Sequence, residues 1–107
     1  MKNNNASLVR ELIEGKTIKF RPHGNSMTPL VESGQLVTVA SLNEEHAAGR
    51  VIPVGSVVYC KVNGRLMLHK VSAIGSDGRY QISNNHGHVN GWTQPQNLFG
   101  ILIQVER

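Results

Sequence analysis

The stretch Ser56-Val57-Val58-Tyr59-Cys60-Lys61-Val62-Asn63-Gly64-Arg65-Leu66-Met67-Leu68-His69-Lys70-Val71-Ser72-Ala73-Ile74 decides how this chain folds. Two runs rich in Val, Leu, Ile and Tyr flank Asn63-Gly64. Asn-Gly is the preferred pair for a two-residue type I′ hairpin turn, because both central positions need a positive φ. So short a loop fixes the register. Val62 faces Arg65, Cys60 faces Met67, and Val58 faces His69. Side chains alternate across a strand. Val58, Cys60, Val62, Met67, His69, Val71 and Ala73 therefore share one face, and Val57, Tyr59, Lys61, Leu66, Leu68 and Lys70 the other. His69 falls on the more apolar face, among small hydrophobes.

Outward toward the C-terminus, a turn at Ser76-Asp77-Gly78 leads to a strand over Arg79–Ser83. Residues 84–97 read as a polar loop, and Leu98–Val105 as a last strand. Toward the N-terminus, residues 41–55 read as a long connection with Gly49, Pro53 and Gly55, holding an irregular edge strand near Arg50–Val54. Leu36–Ala40 is a strand, residues 25–35 are turn-rich, and Thr17–Phe20 is a strand ended by Pro22 and Gly24. In Ala6–Glu14, Leu8, Val9, Leu12 and Ile13 form one helical stripe, with Ser7 as N-cap and Gly15 as stop. Residues 1–5 read as a disordered tail. The expected fold is mainly β: a partly closed, mostly antiparallel sheet or barrel with one short N-terminal helix, forming a single domain over residues 6–107.

Composition narrows the function. At 107 residues and 39% hydrophobic, the chain fits one domain with a modest core. One Cys excludes an internal disulfide framework and a multi-Cys zinc site, and it suits a reducing compartment, so a cytoplasmic location is expected. No apolar run approaches the roughly 20 residues of a membrane helix. Met1-Lys2-Asn3-Asn4-Asn5 leads into no apolar stretch of the kind a secretory signal has. The net charge of +4 is spread over Lys16, Lys19, Arg21, Arg50, Lys61, Arg65, Lys70 and Arg79 rather than gathered in a stripe. The aromatics Phe20, Tyr59, Tyr80, Trp92 and Phe99 are too few for a base-stacking platform. No membrane or nucleic-acid partner is expected, and no cofactor.

Three places carry chemistry. In Gly24-Asn25-Ser26-Met27-Thr28-Pro29, a serine sits between a strand end and a Pro-stopped turn. Its hydroxyl and the nearby backbone N–H groups are the parts of a nucleophile beside an oxyanion hole. Serine is also an ordinary turn residue, so spacing alone does not assign it a role. His69 on its apolar strand face reads first as a core histidine. Burial favours the neutral imidazole, which is the form a general base needs. Lys70 points to the opposite face. In Asn84-Asn85-His86-Gly87-His88-Val89-Asn90-Gly91-Trp92, His86 and His88 together with His69 or Cys60 are potential metal ligands, but no Cys pair or acid cluster accompanies them.

Taken together these blocks resemble one superfamily. Gly24-Asn25-Ser26-Met27-Thr28-Pro29-Leu30 followed by Gly34-Gln35-Leu36-Val37-Thr38-Val39 is similar to the Gly-x-Ser-Met-x-Pro … Gly-Asp signature of type I signal peptidases and the self-cleaving domains of SOS and phage repressors. Val54-Gly55-Ser56-Val57-Val58-Tyr59 resembles its second Gly-Asp block, and Leu68-His69-Lys70-Val71 the block that carries the general base. Ile82-Ser83-Asn84-Asn85 resembles the Gly-Asp-Asn-Asn block, and Leu98-Phe99-Gly100-Ile101-Leu102 the closing strand. The resemblance spans residues 17–105, and the order of the blocks makes it more specific than any one of them.

The resemblance implies a serine peptidase with Ser26 as nucleophile and His69 as base. Lys holds the base position in bacterial signal peptidases and repressors, whereas His holds it in the endoplasmic-reticulum and archaeal type, which this chain resembles more. It further implies that Asn84 occupies the third catalytic position and that an extended peptide binds along Thr17, Lys19, Arg21, Gly24, Asn25, Met27 and Pro29, by β-addition to the strand that contains Lys19. Gln35, Ser56 and Asn84 stand where the superfamily has Asp. An Asn orients a His through a hydrogen bond but does not stabilise an imidazolium by charge. Ala48-Gly49 matches the repressors' cleavage dipeptide, but it lies downstream of Ser26 instead of upstream, which does not support self-cleavage. The expected partner is a peptide or protein in extended conformation, either cut by a Ser26–His69 dyad or bound without catalysis by a peptidase-fold module.

Overall fold

The computed structural model describes residues 6–107, and the tail expected over residues 1–5 lies outside the described residues. In chain order the elements are helix α1 (Ala6–Ile13), strands β1 (Ile18–Phe20) and β2 (Val37–Ser41), helix α2 (Asn43–Ala47), and strands β3 (Val57–Val62), β4 (Arg65–Ile74), β5 (Tyr80–Ser83) and β6 (Val89–Thr93). A 3₁₀ turn over Pro95–Asn97 then leads into β7 (Leu98–Val105). The strands form one antiparallel sheet in the order β1-β2-β7-β3-β4-β5-β6. The sheet is not closed: β1 and β6 are its edges.

The β3–β4 hairpin has the register that its turn dictates. Val62 pairs with Arg65, Cys60 with Met67 and Val58 with His69, and Asn63 and Gly64 take φ of 49° and 79°. Both faces of this hairpin are buried. On one face, Val57, Tyr59 and Leu68 join Leu8 and Leu12 of α1 with Ile18, Met27, Val31, Val37 and Val39. On the other, Val58, Cys60, Val62, Met67 and Val71 pack with Leu42, Ile52, Tyr80, Ile82 and Leu98. This double burial explains the near-continuous apolar run in β3, which simple alternation does not describe.

Bulges bend the sheet. Between Val39↔Leu102 and Thr38↔Gln104, β7 carries Ile103 as an extra residue, and between Tyr59↔Gly100 and Cys60↔Leu98 it carries Phe99. Each extra residue raises the local twist, so β7 curves as it joins β2 to β3. At the far edge the sheet curls back toward the hairpin. Thr93 Oγ1 donates to the Lys61 carbonyl at 2.7 Å, and Asn63 Nδ2 donates to the Asn90 carbonyl at 3.2 Å.

Local chemistry sets the helices. Gly15, at φ 88°, closes α1 through bonds from its N–H to the Leu12 carbonyl and from the Lys16 N–H to the Glu11 carbonyl, a Schellman cap. The same cap, made by Gly49 and Arg50 on His46 and Glu45, ends α2. The sequence pattern over residues 41–55 predicts a connection with an irregular strand near Arg50–Val54. The structure corrects this: α2 lies there and residues 50–54 are not in a strand. A five-residue helix is too short to show a period. The polar loop expected over residues 84–97 also proves to contain β6 and the 3₁₀ turn. Among the described residues, no helix is long and apolar enough to cross a membrane.

Candidate functional site

The turn after β1 is anchored by what it buries. Met27 and Val31 have no exposed surface and enter the core beside α1. Met27, which the resemblance gave to substrate binding, thus anchors the loop from the core. Ser26, one residue earlier, is half-buried and turns instead toward β4. Its Oγ lies 3.0 Å from Nε2 of His69, which is 5% exposed. On the far side of the imidazole, Nδ1 is 2.7 Å from Oδ1 of Asn90. An amide oxygen only accepts, so Nδ1 carries the proton and donates. Nε2 is then the acceptor for the Ser26 hydroxyl. The result is a hydrogen-bonded relay from hydroxyl to imidazole to amide, with the imidazole fixed in the tautomer a general base requires.

Asn90 reaches His69 because of a bulge. β5 and β6 pair Ile82 with Gly91 and Ser83 with Val89, so Asn90 is the extra residue between them. A bulge of this kind re-aims a side chain. The hairpin tip holds the same residue from behind, through Asn63 Nδ2 on its carbonyl. Asn84, to which the resemblance gave the third position, does other work. Its Oδ1 accepts from the backbone N–H groups of His86 and His88 at 2.8 and 2.9 Å, closing the β5–β6 turn.

That turn cradles the loop bearing Ser26. The Asn85 N–H donates to the Ser26 carbonyl at 2.8 Å, and Asn85 Nδ2 donates to the Thr28 carbonyl at 3.1 Å. Lys70 Nζ reaches Asn85 Oδ1 at 3.4 Å. His86 Nε2 stands 3.0 Å from the Asn25 carbonyl and 3.1 Å from Thr28 Oγ1. His86 thus fastens the loop, and Cys60 is buried with its Sγ against the Met67 carbonyl. Among the described residues no group of three His, Cys, Asp or Glu side chains is arranged to hold a metal ion.

The relay opens on a cleft of about 400 Å³ walled by His23, Asn25, Ser26, Arg65, Met67, His69, Asn84, His88 and Asn90. Of the residues expected to bind substrate, Asn25 is in this wall. Thr17, Lys19, Arg21, Gly24 and Pro29 are exposed outside it, and Arg21 donates from Nη1 to the Gly34 carbonyl at 2.8 Å. The Thr28–Pro29 peptide bond is cis. No carboxylate stands in the wall. Asp77, the one aspartate, is bound by Arg79 within its own turn, and the N–H groups of Arg79 hold its carboxyl below the usual range. Sequence reasoning did not find Asn90, His23 or Arg65. For Arg65 a signal was present, since it shares the hairpin face of His69.

No family model, curated protein or solved structure matches the chain.

Proposed function

We propose that the protein is a serine peptidase of the kind the Ser26, His69 and Gly24–Leu30 blocks resemble, acting on a peptide in extended conformation. One observation carries this reading: the unbroken relay from Ser26 Oγ (3.0 Å) through His69 to Asn90 (2.7 Å) at the wall of an open cleft. Ser26 Oγ attacks the carbonyl carbon while His69 Nε2 takes its proton. The carbonyl oxygen becomes an oxyanion, held by backbone N–H groups of the turn. The Gly24 and Thr28 N–H groups are engaged by Ser33 Oγ and the Asn25 carbonyl. Collapse breaks the C–N bond as the imidazolium returns its proton to the leaving amine. Water, activated by the same imidazole, then hydrolyses the seryl ester. Asn90 keeps the ring oriented throughout.

A second reading has one observation in its favour: the group facing Nδ1 is an amide, which orients an imidazolium without neutralising it. On that reading the fold binds a peptide or protein without cutting it. Incubation of the protein with an unbiased peptide library, followed by mass spectrometry, separates the two. The peptidase reading expects new termini that disappear with Ser26→Ala, whereas the module reading expects binding that survives Ser26→Ala and no new termini.

A further inference from the structure

The cleft beside Ser26 continues past His69. A second hollow of about 390 Å³ shares Arg65, Met67, His88 and Asn90 with it and extends to Val62 and Asn63 at the hairpin tip. The two make one groove, running from the reacting hydroxyl along β4. Met67 lies within it, 4% exposed. Arg65 and His69 are on the same face of β4, four positions apart, which is about 13 Å at strand rise.

The charges along this groove are one-sided. Its ionisable walls are His23, Arg65, His69 and His88, with no Asp or Glu. Among the described residues the ion pairs are Lys16 with Glu14, Arg50 with Glu45 and Arg79 with Asp77, and none takes up Arg65. A lone surface Arg is ordinary. Arg65 differs in standing at the wall of a groove that ends at a nucleophile, beside a histidine and without an acid. Its guanidinium presents a planar fork suited to a carboxylate.

We propose that this groove selects an acidic side chain of the peptide, with Arg65 pairing to the carboxylate and His88 adding a ring N–H. The proposal rests on the peptidase reading for the end of the groove at Ser26. An extended peptide advances at about the same rise as β4, so the acidic residue sits roughly two to four positions from the scissile bond, once the reach of the Arg side chain is allowed for.

The experiment uses matched peptides carrying Asp, Asn or Lys at one position, moved from two to four residues on each side of the bond that is cut, or of a central Ala-Gly where none is cut. Binding to Ser26→Ala is read by fluorescence anisotropy, and kcat/KM of the wild type by mass spectrometry. The Asp peptide is expected to bind about two- to fivefold tighter than its Asn counterpart, a gap that shrinks with salt. Arg65→Gln, at an exposed strand end, is expected to abolish the gap, with circular dichroism confirming the fold. Binding selectivity without cleavage upholds the acidic subsite and removes the peptidase reading. Cleavage with equal use of Asp, Asn and Lys does the reverse, and binding of no peptide overturns the subsite. Displacement of the acidic peptide by an oligonucleotide of equal affinity also overturns it, because the groove would then read phosphate.

Discussion

Asn90→Asp is the most informative change in this site. It is nearly isosteric and places a carboxylate 2.7 Å from His69 Nδ1. In the chymotrypsin-type triad, exchanging the acid for Asn costs about 10⁴ in rate, in part because the imidazole takes the wrong tautomer. Here the Asn90 oxygen already fixes the tautomer, so only the charge contribution remains to be gained. An adjacent opposite charge favours a protonated imidazole by about 1.4–4 kcal/mol. Expressed fully in the transition state, that corresponds to roughly a tenfold to 10³-fold rise in kcat. The same stabilisation holds the proton more tightly in the free protein. The ascending limb of kcat/KM, which follows formation of the neutral base, should therefore move to higher pH than in the wild type. Asn90→Ala, which removes the orienting oxygen, should lower kcat by about 10². The assay is steady-state cleavage of one library-derived peptide across pH, with thermal unfolding to confirm that each variant is folded. A folded Asn90→Asp whose rate and pH profile match the wild type would refute the assignment of Asn90 as the partner of a catalytic imidazole.

Other consequences are open to simple tests. A Cβ at Gly91, where φ is 144°, would lie 3.1 Å from Asn63 Nδ2 and 3.3 Å from Val62 Cγ1. Gly91→Ala should cost about 1–3 kcal/mol and reduce kcat beyond what a core variant of equal stability does, because it pushes on the clamp behind Asn90; equal losses in the two variants would contradict the clamp. At Gly100 a Cβ would come within 2.6 Å of Val39 Cγ1 and 2.9 Å of the Ala40 carbonyl. Gly100→Ala should destabilise by at least about 1–3 kcal/mol, lowering Tm by roughly 4–8 °C per kcal/mol, and an unchanged Tm would contradict the packing of β7 on β2. Burial pushes the Cys60 thiol up to about 12, so a disulfide reagent at pH 8 should leave the native protein unmodified and titrate one thiol after unfolding.

The hairpin was legible because one dipeptide controlled it. Asn63-Gly64 sets the register, and register sets which residues share a face with His69. The turn bearing Ser26 was legible as a turn for a similar local reason, since Gly24, Pro29 and the intervening Ser26 and Met27 form a short block. What could not be read was the relation between distant strands. Asn90 lies in a stretch whose composition says polar loop, and its aim depends on a bulge opposite β5. A bulge adds one residue to a ladder and leaves no periodic trace. Asn84 occupied the position the resemblance pointed to, but its oxygen is used within the β5–β6 turn. α2 escaped notice because it is barely longer than one turn. The double burial of β3 and β4 also weakened the alternating pattern from which a one-sided sheet would have been inferred.

The scarcity of acids has a definite consequence at this site. The polar atom at His69 Nδ1 is an amide oxygen, so on the proposed peptidase reading the reactivity of Ser26 depends on orientation without a balancing carboxylate. Reaction with a fluorophosphonate probe tests this most directly, because the probe needs an activated serine and no knowledge of the substrate. The account predicts a single adduct, mapped to the peptide containing Ser26 and lost in both Ser26→Ala and His69→Ala. A folded wild-type protein that stays unlabelled after prolonged exposure, or is labelled equally when His69 is replaced, would contradict it.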